Sequence, residues 1–160
     1  MLLMKKLFTT RSMCLSAIIA ALYAALTLAL PALSYGQVQC RLSEALTLLP
    51  MALPQAVPGL FVGCLVANLL SPAGALDIVF GSLATLLAAV GTYFFRKKPF
   101  LGAACPVLAN GLIVGSMLAF AYRLPAWLTM LQVAAGEAIA VAAGFLLMHA
   151  LRRVDLSRFQ

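Results

Sequence analysis

The sequence predicts an all-α membrane protein: a compact six-helix transmembrane bundle, one membrane-embedded domain over residues 1–160, with N- and C-termini in the cytoplasm. Three observations predict it. The 160 residues are 64% hydrophobic and only 9% charged, against about 25% charged in soluble domains. The apolar residues fall into runs near the roughly 20 residues that span hydrocarbon as a helix, and the chain holds about five or six of them. Nine of the eleven Lys and Arg form three clusters: Lys5, Lys6, Arg11; Arg96, Lys97, Lys98; and Arg152, Arg153, Arg158. Each cluster flanks an apolar run, as cytoplasmic loops do. Six segments starting inside put all three clusters inside and leave only Arg41 and Arg123 outside.

Residues 1–11 are a short basic start. Helix 1 is predicted over 12–31, an apolar run closed by Pro31. Its basic start and the ending PALS also suit a signal peptide. A signal h-region has about 7–15 residues, whereas this run of 19 is long enough to span, so it is expected to be retained. The polar loop ALSYGQVQC leads to helix 2 over 41–53 and helix 3 over 57–70. At 1.5 Å per residue each reaches about 20 Å, short of the roughly 30 Å core. They either tilt or form a re-entrant hairpin, and the chain returns to the side it left. Ser71-Pro72 offers a cap and a first-turn proline, so helix 4 is predicted over 72–95, ending before RKKP. Helix 5 takes 100–122, Arg123-Leu124-Pro125 turns the chain, and helix 6 takes 126–151.

The net charge of +7 would suit nucleic acid, but its placement at helix ends points to the lipid bilayer and no nucleic-acid partner. Cys14, Cys40, Cys64 and Cys105 lack a C-x-x-C spacing, and His149 is the only histidine. No metal site and no cofactor are predicted; the thiols suit small apolar packing positions. There is no G-x-x-x-x-G-K-[ST] and no H-E-x-x-H. A Ser–His–Asp set is implausible with the one histidine at the inner edge. No enzyme is predicted, and active transport by this chain would draw its energy from another.

The stretch 41–88 is apolar almost throughout, yet it contains Glu44, Asn68 and Asp77 with Pro50, Pro54, Pro58 and Pro72. Hydrocarbon tolerates neither carboxylates nor broken helices without a reason. The reason predicted is a solute-binding pocket in the outer half of the membrane. Glu44 falls one turn into helix 2, Asn68 near the outer end of helix 3, and Asp77 in the second turn of helix 4. Glu137, about 16 Å down helix 6, would form the floor.

Each has a plainer account. Glu44 can pair with Arg41 three residues before it. Asp77 can favour the positive end of helix 4. Asn68 can hydrogen-bond a neighbouring helix. Glu137 has no sequence-local cation, so its plain account is weakest. Trp127, Tyr35 and Tyr122 suit an aromatic belt, and Trp127 also suits stacking on a planar solute.

Small residues recur every four positions at Gly59/Gly63, Gly111/Gly115, Gly136/Ala140/Gly144 and Ala17/Ala21/Ala25. Such stripes let helix backbones approach closely. The first three suit internal packing. The last lies on the first helix of the bundle, which has a free side, and equally suits a partner.

RLSEALTLLP followed by VPGLFVGCLVANLLSPAGALDIVFGSLATLLAA resembles the QueT family, substrate-binding membrane subunits (S components) of energy-coupling factor transporters for queuosine precursors. The resemblance rests on Arg41, Ser43, Glu44, Pro50, Pro58, Gly63, Asn68, Asp77, Gly81 and Thr85. ALYAALT in helix 1 and Pro106 with Asn110 in helix 5 also look similar, and the fit is looser in helix 6. It implies a six-helix subunit that captures its solute from outside. It implies as partners a transmembrane coupling protein and two cytoplasmic ATPase subunits, with Ala17, Ala21 and Ala25 docking on the coupling protein. The substrate class fits the residues. A 7-deazaguanine presents a ring N–H and an amino group side by side, which one carboxylate accepts together. An aminomethyl form adds a cation for a second carboxylate, and an amide such as Asn68 donates to the ring carbonyl. The competing readings are an S component for another small solute such as a vitamin, a membrane-embedded hydrolase using Glu44 and Asp77 as an acid pair, and a structural or pore-forming protein without a saturable ligand.

Overall fold

Six helices, taken up and down in chain order, form the bundle in the computed structural model, which describes residues 9–35 and 41–151. The basic residues Lys5, Lys6, Arg152, Arg153 and Arg158, together with Cys40 and positions 36–40, lie outside the described residues. Helix α1 is Thr10–Ala29, followed by a single turn, Pro31–Ser34. Helix α2 is Leu42–Met51, α3 is Ala56–Asn68, and α4 is Asp77–Phe94. Helix α5 is Pro99–Tyr122 and α6 is Ala126–Leu151. Four of these, α1, α4, α5 and α6, are long and apolar enough to cross a membrane.

Helix α1 starts where the Thr9 side chain accepts from the Ser12 N–H at 3.3 Å, an N-cap. Its buried stripe is Ser12, Ile19, Tyr23 and Thr27. That stripe packs on α3, where Gly59 and Gly63 have no side chain to hold the helices apart. A Cβ on Gly59 would lie 2.7 Å from the Ser16 carbonyl oxygen, and one on Gly63 2.6 Å from that of Ala20. Gly144 meets the Ala45 carbonyl in the same way, and Gly115 meets Met130. The glycine stripes are thus spent on internal packing.

Two expected boundaries move. Helix α2 is a 3-10 helix, so it rises about 2.0 Å per residue and its ten residues cover a length that thirteen α-helical residues were expected to cover. It threads the middle of the bundle, with Ser43–Pro50 buried without a break. Helix α4 does not start at Pro72. Ser71 gives its hydroxyl to Asp77 at 2.6 Å, and Gly74 takes a left-handed φ of 61°. Helix then begins after Gly74, whose carbonyl accepts from the Ile78 N–H at 3.2 Å. Glycine suits that turn because it adopts positive φ without steric cost.

Pro106 lies inside α5 and cannot donate to the Gly102 carbonyl one turn back. The buried Thr92 hydroxyl of α4 donates to that carbonyl instead, at 3.0 Å. The proline therefore costs no orphaned acceptor and ties α5 to α4.

Hydrogen bonds fix which ends lie together. Ser16 donates to the Gln55 carbonyl at 2.8 Å at one end of the bundle. At the other, Tyr35 donates to the Ala67 carbonyl at 2.7 Å and Arg41 to the Ser34 carbonyl at 3.2 Å. Arg11 and 96–98 consequently share the end opposite Arg41 and Arg123.

Candidate functional site

Polar side chains buried in an apolar bundle must find partners, and here they converge near the Arg41 end. In a 3-10 helix residues three apart eclipse, which puts Arg41, Glu44 and Thr47 in one row, and Arg41 and Glu44 reach Asp77 and Thr85 of α4. Two π turns open towards that row, Asp77–Gly81 in α4 and Asn110–Val114 in α5. Such turns interrupt the regular ladder and recur at functional sites. Each begins on a buried polar residue, Asp77 or Asn110.

The first half of the cluster is built on the Arg41–Asp77 ion pair, with Asp77 Oδ1 and Asn68 Oδ1 buried without a hydrogen-bond partner. Arg41 Nη2 meets Asp77 Oδ2 at 2.7 Å, with side-chain exposures of 6% and 0%. Ser71 Oγ reaches the same oxygen at 2.6 Å. Asn68 Nδ2 donates to the Asp77 carbonyl at 2.9 Å. Gly81 sits against this pair, since a Cβ there would come within 2.8 Å of Asn68 Nδ2 and collide with Asp77 Oδ1. Outside the spanning helices, burial raises the Tyr35 phenol above its ordinary range, so it serves as a neutral donor over the Arg41 guanidinium.

The second half leaves atoms free. Glu44 Oε1 accepts from the Tyr23 hydroxyl and from Thr85 Oγ1 at 3.2 Å. Glu44 Oε2, Glu137 Oε1 and Asn110 Nδ2 are buried without a hydrogen-bond partner. All three residues line one small cavity of about 10 Å³, completed by Arg41, Val114 and Val133. The six lining residues are all buried. Two acceptors and one donor thus face a single small space, the Asn110 amide beside both carboxylates yet outside good hydrogen-bond geometry, although buried polar groups are ordinarily paired. As it stands the space has room for about one water molecule.

Of the residues singled out from sequence, the structure brings Glu44 and Glu137 to the cavity wall. Asn68 and Asp77 lie behind it, holding Arg41. Trp127 is 68% exposed and does not reach it. The short-range Arg41–Glu44 pair, offered by spacing as the plainer account of Glu44, is not formed, because Asp77 takes the guanidinium from across the bundle. Glu44 and Asp77 are consequently not two acids facing one cleft. Sequence reasoning passed over Asn110 as a contact, and over Arg41, Tyr23 and Thr85 as supports. For Asn110 the available signal was the one that marked Asn68: an isolated amide in an apolar run. No cluster of three or more metal-ligating side chains occurs among the described residues.

A family model described as QueT transporter matches residues 13–153. The chain is also 32% identical over 158 residues to a protein of Lactococcus lactis subsp. cremoris described as queuosine precursor transporter QueT, covering 89% of this chain and 93% of that one. No solved structure matches.

Proposed function

Since the chain belongs to the QueT transporter family, we propose that it captures a queuosine precursor of the 7-deazaguanine type from outside the cell and delivers it to an energy-coupling factor module for ATP-driven uptake. It is a multi-pass protein of the cell membrane with a transport role. The observation that carries the finer reading is the cavity with its three unpartnered polar atoms. The ring N–H and amino group of a 7-deazaguanine are donors side by side, suited to a carboxylate. The ring carbonyl is an acceptor, suited to the free Nδ2 of Asn110. The cavity of about 10 Å³ has room for about one water, far below the about 300–1,000 Å³ of most ligand pockets, so in this reading a bicyclic base opens the site on binding. The π turn at Asn110–Val114 is the wall with slack to yield. In this reading the partners are a transmembrane coupling protein and two cytoplasmic ATPase subunits, and Ala17, Ala21 and Ala25 meet the coupling protein.

Mass spectrometry of solutes retained by the purified protein tests the substrate class, with calorimetry against a panel of 7-deazaguanines and vitamins beside it. Losing a hydrogen-bonding partner of a desolvated polar group costs about 1–3 kcal/mol. Glu137→Gln is therefore expected to weaken solute binding by about tenfold or more in a protein that still folds. Unchanged affinity would return Glu137 to a packing role. Orientation is tested separately. With native cysteines removed, Lys97→Cys should resist an impermeant thiol reagent in intact cells and Gly36→Cys should react. The reverse pattern would put the cavity near the cytoplasm.

A further inference from the structure

We propose that the turn between α4 and α5 is a binding surface for an anionic phospholipid, whose headgroup meets Arg96, Lys97 and Lys98 at the end of the bundle away from the cavity. The inference needs only a chain seated in a bilayer and is independent of the solute.

The three cations are consecutive and stand between Phe94, the last residue of α4, and Pro99, the first of α5. The connection is tight because the two helix ends are tied together. The Thr92 hydroxyl of α4 donates to the Gly102 carbonyl of α5 at 3.0 Å. Gly91 lets Cys105 approach, since a Cβ there would lie 2.8 Å from its sulfur. The Lys98 N–H donates to the Phe95 carbonyl at 2.7 Å and closes a turn over 95–98. Arg96, Lys97 and Lys98 are all exposed on it. Like charges held in one turn repel, and an anion placed among them relieves that repulsion.

The described chain offers no such anion. Its acidic residues are Glu44, Asp77 and Glu137, and all three are buried. Asp77 is paired with Arg41 at the opposite end, and Glu44 and Glu137 face the cavity there. The fourth acid of the sequence, Asp155, lies outside the described residues and stands in the sequence among Arg152, Arg153 and Arg158, a segment that is itself net positive. The counter-charge for the turn therefore comes from outside the chain.

The surroundings of the cations point to a lipid as its source. Phe94 and Phe100 flank the turn, 76% and 84% exposed, and apolar rings on that scale belong in hydrocarbon rather than water. Arg96 lies over the Tyr93 ring, 4.5 Å from the centroid, and donates to the Tyr93 carbonyl at 3.3 Å. Tyrosine rings collect where hydrocarbon meets headgroups, so this contact holds the guanidinium at the level of the phosphates. An anion with an acyl tail satisfies both parts of the surface, its phosphate on the cations and its chain beside Phe94 and Phe100. A free phosphate satisfies only the first part.

The test is native mass spectrometry of the full chain released from nanodiscs of equimolar phosphatidylglycerol and phosphatidylcholine. Both lipids carry a phosphate, and they differ in net charge. The wild-type protein should retain phosphatidylglycerol preferentially, and added salt should lower the preference. A cation near an anionic membrane surface contributes roughly fivefold in binding. Arg96→Gln, Lys97→Gln and Lys98→Gln together should therefore lower the preference by about tenfold or more, whereas Arg123→Gln at the other end should leave it unchanged. Equal retention of the two lipids by the wild type would overturn the inference. A preference that survives the triple change would place the lipid on another basic segment, and an equal loss in Arg123→Gln would reduce the effect to net charge; either overturns the assignment to this turn. Displacement of the lipid by millimolar inorganic phosphate would replace a lipid surface with a free-anion site.

Discussion

Asp77→Ala is expected to destabilise the bundle by about 3–5 kcal/mol, the usual cost of removing one member of a buried ion pair. The carboxylate meets the Arg41 guanidinium at 2.7 Å, and neither side chain reaches the surface. Without it, Arg41 stays buried with a full charge, hydrogen-bonded to the Ser34 carbonyl and the weak Cys64 sulfur beside the Tyr35 ring, and with the Glu44 and Glu137 carboxylates beyond ion-pair distance. Ser71 also loses its acceptor, and with it the tie across the 71–77 turn. Replacing both members by apolar residues of similar volume is a different change, because it removes the uncompensated charge as well. Arg41→Met with Asp77→Leu is therefore expected to recover most of the loss, although solute binding will change because Arg41 lines the cavity. Thermal unfolding followed through the thiol of buried Cys64, with the other cysteines replaced, gives the four corners of the cycle. A double variant no more stable than Asp77→Ala would mean that packing around Asp77, rather than charge, holds this end together.

The same ion pair marks where the sequence stopped being legible. Apolar runs set by hydrocarbon thickness and basic clusters at their ends gave the helix count, and α6 lies where the run 126–151 put it. These features depend on residues near one another in the chain. Arg41 and Asp77 are 36 positions apart, and spacing alone paired Arg41 with Glu44. The start of α4 shifted for the same reason: Ser71, well placed as a cap, was recruited by Asp77 instead. Asn68 and Asn110 look alike as isolated amides in apolar runs. Only the packing decides that one faces the Asp77 backbone and the other the cavity. The 3-10 form of α2 is likewise tertiary, since a ten-residue run of it is uncommon on propensity alone and here it is enclosed on all sides.

Ala21→Trp is expected to abolish assembly with the coupling module, and with it uptake, while leaving solute affinity of the isolated subunit within about twofold, as for a surface substitution. Ala17, Ala21 and Ala25 are all exposed. Position 21 is about 200° around the helix from Tyr23, the residue that reaches Glu44, because each residue advances about 100°. The inward side of α1 is already committed to Gly59 and Gly63 through Ser16 and Ala20. A bulky side chain at 21 therefore has no internal neighbour to displace. A partner helix packing on the alanine face would be held off by several ångströms, and dispersion contacts fall steeply over such a gap. Co-purification with the coupling protein and its ATPases reads the first effect, and ligand titration of the solitary subunit reads the second. If the variant keeps its complex but loses its ligand, α1 faces the other way in the working protein and the docking surface lies on another helix.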